Sequence, residues 1–192
     1  SRRRHTRFRN VTGVQTCALP IFFNSRLYSK DAFVGTSMLW HQDYGYWKLD
    51  RVPTPSLVQC MIMLTDVDVL DGSLVLIPGS HRRGELAHYS DTSSAFKHMA
   101  VRPEIMTEIL GTSPKPVPIV GKAGTVALFN GLVIHASTHN FGGQDRWQVY
   151  YVYNRISNRP PITNKSRPEF VSSHNFAPLR MEREGALLAH AE

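Results

Sequence analysis

Two residues separated by one position, His41 and Asp43, are the strongest candidates for chemistry in this sequence. If residues 40–44 form a β-strand, alternate side chains share a face, so the imidazole and the carboxylate project together. One further imidazole would complete the 2-His-1-carboxylate set that holds Fe(II) with open coordination positions. We expect His135, in the apolar run 132–137, to supply it.

A His-x-Asp pair is weak evidence by itself, because the chain has nine histidines and a hydrogen-bonded surface pair gives the same pattern. A lone histidine in an apolar strand, such as His135, is commonly a hydrogen-bonded core residue. Two neighbours favour a functional site. Arg146 begins the next predicted strand, and a guanidinium near such a site needs an anion, which it binds through two parallel hydrogen bonds. Ser137 shares the face of His135 and can donate to the same carboxylate.

The first 21 residues differ in character from the rest of the chain. Residues 1–7 and 11–21 resemble translated sequencing adapter, and residues 8–10 fit the index between the two adapter parts. We therefore predict that residues 1–21 are a non-native segment and that residues 22–192 form a single domain whose natural N-terminal part is missing. A basic N-terminal arm or a targeting peptide is the alternative, since the segment is rich in Arg and free of acidic residues.

The net charge of +7 comes largely from that segment, which holds five of the 22 Lys and Arg residues. The remainder is nearly balanced, so charge gives no reason to expect a nucleic-acid partner. Without the segment Cys60 is the one cysteine, which excludes an intrachain disulfide and suits a reducing cytoplasm, our predicted location. No apolar run reaches the roughly 20 residues of a membrane-spanning helix. We expect a monomer or homodimer that binds a small molecule and no membrane.

Short apolar runs separated by Gly and Pro predict a mainly-β fold, a double-stranded β-helix (jelly roll, cupin-like) with a few flanking helices. Strands are expected at residues 26–28, 33–40, 57–66, 73–77, 117–120, 125–129, 132–136 and 146–156. In the last strand Arg146, Gln148, Tyr150 and Val152 alternate onto one face. Residues 82–116 are polar and lack alternation, so we interpret them as an excursion from the barrel with a short helix near 102–110.

Several stretches resemble the phytanoyl-CoA dioxygenase superfamily of Fe(II)/2-oxoglutarate oxygenases, and most closely its ectoine-hydroxylase-like branch. The resemblance spans nearly all of residues 22–170. The matching stretches are Ser25-Arg26, Trp40-His41-Gln42-Asp43-Tyr44 with Trp47, Leu64-Thr65-Asp66-Val67, Ile77-Pro78-Gly79-Ser80-His81, His135-Ala136-Ser137 with Arg146, Val152-Tyr153-Asn154 and Arg167-Pro168-Glu169-Phe170. Together they are specific for the superfamily, whereas Pro-Gly-Ser-His alone would be only suggestive.

The resemblance implies that His41, Asp43 and His135 bind the catalytic Fe(II). It implies an enzyme that uses 2-oxoglutarate as cosubstrate and O2 as oxidant, releases succinate and CO2, and hydroxylates an unactivated C–H bond of a small molecule. Halogenating relatives lack the carboxylate so that a halide can bind. Asp43 therefore favours hydroxylation.

The resemblance also assigns residues to the two organic ligands. The implied 2-oxoglutarate-binding residues are Arg146, Ser137 and Met38, and the implied substrate-binding residues are Trp47, Arg26, Asn24 and Arg167. Trp47 could instead be a core residue at the barrel rim, and Arg26 and Arg167 could be solvated surface charges. Asn24 and Tyr28 stand where ectoine hydroxylases carry Gln and Asn, so we expect the substrate to differ from ectoine.

Two other functions stay open from the sequence. One is a non-catalytic jelly-roll binding module with a vestigial metal site. The other is a metal-dependent hydrolase or isomerase that uses the same ligands, in which Arg146 and Ser137 would have no dicarboxylate to hold.

Overall fold

The structure is a computed structural model, and it describes residues 20–92, 98–163 and 166–180. Within these ranges the chain is mainly β, as predicted. The strands are β1 Pro20–Lys30, β2 Met38–His41, β3 Val58–Met63, β4 Leu74–Leu76, β5 His88–Asp91, β6 His98–Val101, β7 Val117–Ile119, β8 Val126–Asn130, β9 His135–Ser137 and β10 Arg146–Arg155. The α-helices are α1 Tyr44–Trp47 and α2 Pro103–Thr112, and 3-10 turns cover Lys48–Asp50, Ser80–Arg83 and Ile156–Asn158.

Eight of these strands form two antiparallel four-stranded sheets, one in the order β1-β10-β3-β8 and the other in the order β2-β9-β4-β7. Strands β5 and β6 pair separately as a hairpin. Apolar side chains from both sheets pack into one cluster, with Met61 and Met63 from β3, Leu74 from β4 and Phe129 from β8. Two packed antiparallel sheets of this kind confirm the predicted jelly roll.

Alternation along β10 and β1 sets which side chains face the interior. Arg146, Gln148 and Val152 of β10 are buried, in agreement with the face predicted from the sequence. On the neighbouring edge strand β1, Asn24 and Lys30 are buried. Polar residues therefore lie inside the sandwich both in the middle of this strand pair, at Asn24, and at its end, where Lys30 faces Arg146.

The predicted strand 33–40 is shorter in the structure, because its first part forms a turn. The Gly35 amide donates to the Asp31 carbonyl at 2.9 Å, and Phe33 has a left-handed φ of 64°. This turn packs tightly on the end of β1, since a Cβ on Gly35 would lie 2.8 Å from the Cβ of Lys30. The apolar pair Phe33 and Val34, which suggested a strand, is instead about 70% exposed.

Strand β1 is longer than the predicted 26–28 and begins two residues inside the segment predicted to be adapter-derived. Ile21 is fully buried and pairs with Asn154 of β10. The rest of that segment, residues 1–19, lies outside the described residues. Of the region 82–116, the expected helix is present as α2, whereas the β5–β6 hairpin was missed because its polar residues show no apolar alternation. No helix in the described ranges is long and apolar enough to span a membrane.

Candidate active site

Three side chains from two neighbouring strands and the turn after one of them converge at one end of the sandwich. His41 ends β2 and His135 begins β9, and the two residues lie directly opposite each other in the antiparallel pair. The Nε2 atoms of His41 and His135 lie 3.5 and 3.4 Å from the two carboxylate oxygens of Asp43. One ligand atom from each residue lies within 4.8 Å of the other two. The structure thus brings together the three predicted metal ligands.

Asp43 reaches this position in a way that differs from the sequence interpretation, because it is not in a strand. Its φ and ψ of −63° and −26° are helical, and it directly precedes α1. Gln42 points away, as expected, and is fully buried. Its side-chain nitrogen donates to the carbonyls of Gly84 and Leu132, both at 2.9 Å. These bonds anchor the short link between the histidine and the carboxylate, a role that the sequence did not reveal.

Each histidine ring is oriented by a hydrogen bond from its Nδ1 atom, which faces away from Asp43. The Nδ1 of His41 lies 2.7 Å from the Leu39 carbonyl, and the Nδ1 of His135 lies 2.9 Å from the Val133 carbonyl. A carbonyl only accepts, so each Nδ1 carries the proton and donates it. The Nε2 atoms are then left with free lone pairs that point into the cluster, the tautomer that metal-binding histidines require.

The protonation states also suit a metal site. Burial, with the help of His41, lowers the pKa of His135 to about 4, so this ring is neutral at pH 7. Burial alone would raise the pKa of Asp43, but the rings of His135 and His41 outweigh burial and hold that pKa below its usual value. The side chain of Gln59 donates a hydrogen bond to Asp43 and fixes the carboxylate. A neutral imidazole at His135 and an ionised carboxylate at Asp43, with the ring of His41 beside them, match the donor set of non-heme Fe(II) sites.

The cluster opens into a cavity of about 730 Å³. Six of the other predicted site residues line it: Arg146, Ser137, Met38, Trp47, Arg26 and Asn24. Its size is within the range of pockets that enclose small-molecule ligands. The cavity therefore has room for ligands beside the metal-binding cluster.

Arg146 is the cation that the sequence predicted for an anionic ligand, and it is 4% exposed. Its Nη1 donates to the side-chain oxygen of Gln148, while its Nε has no hydrogen-bond partner among the described residues. Burial lowers the pKa of Arg146, but a guanidinium stays charged at neutral pH. No described carboxylate lies within ion-pairing distance of it. A buried, unpaired guanidinium is costly unless an anion joins it.

Lys30 is a second buried cation at this end of the cavity, and sequence reasoning missed it. It is 7% exposed and lies opposite Arg146 in the β1–β10 pair. Its Nζ donates to the Ser137 hydroxyl at 2.9 Å and to the Thr138 carbonyl. Burial, and then the positive charge of Arg146, lowers the pKa of Lys30 to about 7. The alternation of Lys30 with Arg26 along β1 could have revealed that both side chains share a face. The predicted strand ended at residue 28 and therefore left Lys30 out.

The predicted substrate-binding residues Asn24, Arg26 and Trp47 lie along a different part of the cavity wall. Asn24 is buried, and neither polar atom of its side chain has a partner among the described residues. Arg26 donates from Nη1 to the Tyr28 hydroxyl at 3.2 Å. Trp47 lines the cavity and also packs edge-on against Phe23, with 6.2 Å between ring centroids. Trp47 therefore combines the two interpretations open from the sequence, a cavity wall and a core residue.

Arg167, the fourth predicted substrate residue, lies outside the cavity lining. Its guanidinium binds both carboxylate oxygens of Asp50, whose side chain is 4% exposed. Asp50 ends the 3-10 turn that follows α1. The pair ties the C-terminal tail to the segment carrying Trp47, so Arg167 is neither a cavity residue nor a freely solvated charge.

Comparison with known proteins gives a consistent picture. The family model described as Phytanoyl-CoA dioxygenase (PhyH) matches residues 7–147, a range that begins inside the predicted adapter segment. The ectoine dioxygenase of Bordetella parapertussis is 30% identical over 160 residues, which are 78% of this chain and 52% of that protein. The L-proline trans-4-hydroxylase of Streptomyces griseoviridis is 31% identical over 173 residues, covering 83% of this chain and 63% of that enzyme.

Solved structures agree with the sequence matches. The structure of EctD from S. alaskensis with bound Fe superposes with a TM-score of 0.72 at 28% identity, covering 86% of this chain and 56% of that one. The structure of the same protein with 2-oxoglutarate and 5-hydroxyectoine gives a TM-score of 0.68 at 27% identity, covering 84% and 54%. The chain spans about half the length of the ectoine dioxygenases it matches.

Proposed function

Because the family model matches most of this chain, the chain belongs to the phytanoyl-CoA dioxygenase family, and we propose that it is an Fe(II)- and 2-oxoglutarate-dependent dioxygenase that hydroxylates an unactivated C–H bond of a small molecule. The observation that carries the proposal is the pairing, in one cavity, of a cluster of two histidines and one aspartate with a buried guanidinium that lacks a carboxylate partner among the described residues. When bound, iron supplies activation of O2 coupled to conversion of 2-oxoglutarate into succinate and CO2.

The metal ligands in this proposal are His41, Asp43 and His135. Their Nδ1 hydrogen bonds and the bond from Gln59 hold the three donors ready, so little reorganisation is needed on binding. Asp43 has a second role in this proposal, because halogenating relatives lack the carboxylate so that a halide can bind. Hydroxylation is therefore the proposed outcome.

The cosubstrate-binding residues are Arg146, Ser137 and Met38, to which the cavity adds Lys30. Arg146 has an unpaired Nε, and Lys30 lies beside it on the next strand. Together they provide two cations for the far carboxylate of 2-oxoglutarate, while Ser137 can donate its hydroxyl proton to the same group. Met38, opposite Ser137 in the β2–β9 pair, forms the apolar wall next to them.

The substrate side of the cavity consists, in this proposal, of Asn24, Arg26 and Trp47. Arg167 has no part in it, because Asp50 already occupies its guanidinium. Ectoine is not the proposed substrate, since Asn24 and Tyr28 replace the Gln and Asn of ectoine hydroxylases. A cytoplasmic location and a monomeric or homodimeric state stay predictions.

Anaerobic addition of Fe(II) and then 2-oxoglutarate to the protein tests the proposal. We expect a weak visible absorption band from the iron–2-oxoglutarate complex, and succinate release once O2 is admitted. His41→Ala should lose both signals, because it removes one of three metal donors. His139→Ala is the matched control, since His139 is an exposed histidine four residues after His135.

Each alternative has its own result in this experiment. Absence of the band in the intact protein would favour the non-catalytic binding module. Turnover that proceeds equally without O2 would favour a metal-dependent hydrolase or isomerase. Full succinate formation by His41→Ala would defeat the metal assignment.

A further inference from the structure

The cavity contains a side-chain amide whose hydrogen bonds are unmade. Asn24 is 4% exposed and lines the cavity, yet its Nδ2 and Oδ1 have no partner among the described residues. A buried amide without partners is unfavourable relative to one exposed to water, and buried polar groups are nearly always bonded. A ligand with one acceptor for Nδ2 and one donor for Oδ1 would satisfy both atoms.

A cation lies two residues away on the same face of β1. Arg26 is half-buried and lines the cavity, and it forms no ion pair with a described residue. Within the described ranges its guanidinium donates one hydrogen bond, from Nη1 to the Tyr28 hydroxyl. Most of its donors are therefore available to an anion, and residues two apart on a strand lie about 7 Å from each other.

Acidic residues are scarce around this pair. Among the described residues that line the cavity, the carboxylates are those of Asp31 and Asp43. Asp43 is engaged by two histidines and Gln59, and Asp31 is exposed in the turn beyond the far end of β1. Near this pair the cavity thus offers a partner for a carboxylate and a partner for an amide, but no unengaged carboxylate of a described residue to neutralise a free ammonium group.

Resting on the proposed function, we infer that the substrate is a small carboxylic acid that bears a lactam, a neutral cyclic amide, next to its carboxylate and carries no free ammonium. Its carboxylate binds Arg26, and its ring N–H and C=O bind the Oδ1 and Nδ2 of Asn24. Trp47 and Val152, which lies opposite Asn24 in the β1–β10 pair, supply the apolar surface for the ring.

The geometry of amides explains why a lactam fits better than its relatives. A primary side-chain amide presents its N–H and C=O side by side, and so does a lactam, so two hydrogen bonds form together. An open-chain amide is trans and points the two groups in opposite directions, so it can satisfy only one atom of Asn24. A charged ring amine offers donors only, so when the carboxylate of the same molecule binds Arg26, Nδ2 of Asn24 is left without an acceptor.

A pair of small acids separates these possibilities. L-proline and L-pyroglutamate share a five-membered ring and a carboxylate, but the first has a charged ring nitrogen and the second a lactam. Isothermal titration calorimetry with each acid, on metal-free protein and on anaerobic protein loaded with Fe(II) and 2-oxoglutarate, measures the preference. We expect L-pyroglutamate to bind at least about tenfold more tightly in both forms, as two net hydrogen bonds would give.

Variants at Asn24 test whether that residue sets the preference. Asn24→Leu keeps the side-chain size and removes both polar atoms, so the affinity for L-pyroglutamate should fall about tenfold or more while that for L-proline changes little. Ser25→Ala, on the opposite and exposed face of β1, should bind both acids as the original protein does. Thermal unfolding verifies that each variant is folded.

The result can overturn the inference without touching the proposed function. Equal binding of the two acids, tighter binding of L-proline, or full affinity of Asn24→Leu for L-pyroglutamate would each refute it. The visible band in the same samples reports the iron and cosubstrate site separately. Since neither Asn24 nor Arg26 is a metal ligand, the comparison on metal-free protein stands even if the band is absent.

Discussion

Arg146 is a buried cation without a carboxylate partner among the described residues, and in the proposed function the cosubstrate supplies its anion. Arg146→Gln removes the charge, so we expect the affinity for 2-oxoglutarate to fall about 100-fold, as for the loss of charged hydrogen bonds. The melting temperature of ligand-free protein should stay the same or rise, because an unpaired buried charge disappears. Titration of the visible band and thermal unfolding measure the two effects. Arg155→Gln, exposed at the other end of β10, is the control.

A lower melting temperature of Arg146→Gln with unchanged 2-oxoglutarate affinity would contradict this prediction. That outcome would mean that Arg146 stabilises the fold and takes no part in ligand binding.

Lys30 should make the stability of the ligand-free protein depend on pH. Its pKa is about 7 in the folded protein against 10.5 for a free side chain. Between these values the unfolded chain binds more protons, so the free energy of unfolding rises with pH across this window. Relative to Lys30→Met, the protein should gain on the order of 2 kcal/mol from pH 7 to pH 10. Urea unfolding at several pH values measures the difference.

The control for this pH effect is Lys115→Met, which removes an exposed lysine. It should follow the pH profile of the original protein. If the difference in free energy of unfolding between the original protein and Lys30→Met does not change with pH, the lowered pKa of Lys30 is refuted.

At the scale of elements, helix α1 depends on a close approach to the loop before β9. A Cβ on Gly131 would lie 2.3 Å from the Trp47 ring, so only glycine leaves room for the tryptophan. Gly131→Ala should lower the free energy of unfolding by about 1–3 kcal/mol through overpacking and should shift the tryptophan fluorescence. Gly111→Ala, in α2 with open space around it, should be neutral or slightly stabilising. Equal stability of the two variants would disprove the tight packing.

The elements also show how far the sequence could predict the site. Alternation correctly placed Arg146 and Gln148 on the inner face of β10, because a period of two is a local property of the strand. Lys30 was missed, because β1 buries polar residues and the apolar pattern therefore underestimates the length of that strand. The sequence assigned Arg167 to the substrate, whereas in the structure its guanidinium binds Asp50. The contacts of a tail residue depend on where the tail packs, and no local pattern gives that position.

At the scale of the whole molecule, the meeting of His41 with His135 is a long-range event that no local pattern specifies. The family resemblance predicted it, while strand periodicity predicted only that each histidine lay in or near a strand. His41 and Asp43 share a face although Asp43 is helical, so the spacing proved more informative than the assumed strand geometry. The packing of two sheets, which creates the cavity, follows from the apolar cores of β3, β4 and β8.

A metal ion held by the three ligands should stabilise the whole fold, because it binds the folded chain and not the unfolded one. Anaerobic Fe(II) should raise the melting temperature by several degrees, and a chelator should reverse the rise. His135→Ala should show no such shift. His139→Ala should show the full shift, and its loss there would point to binding at another position.

The β2–β9 pair that carries both histidines is short and irregular, with four residues on one side and three on the other. So few backbone bonds give weak protection against slippage, and a slip by one residue would turn His135 to the opposite face of the sheet. An ion that needs both imidazoles on one face would reward only the correct alignment. Refolding with metal present should then yield a population with a more uniform β2–β9 register than refolding without it, because the ion stabilises only the correctly paired strands.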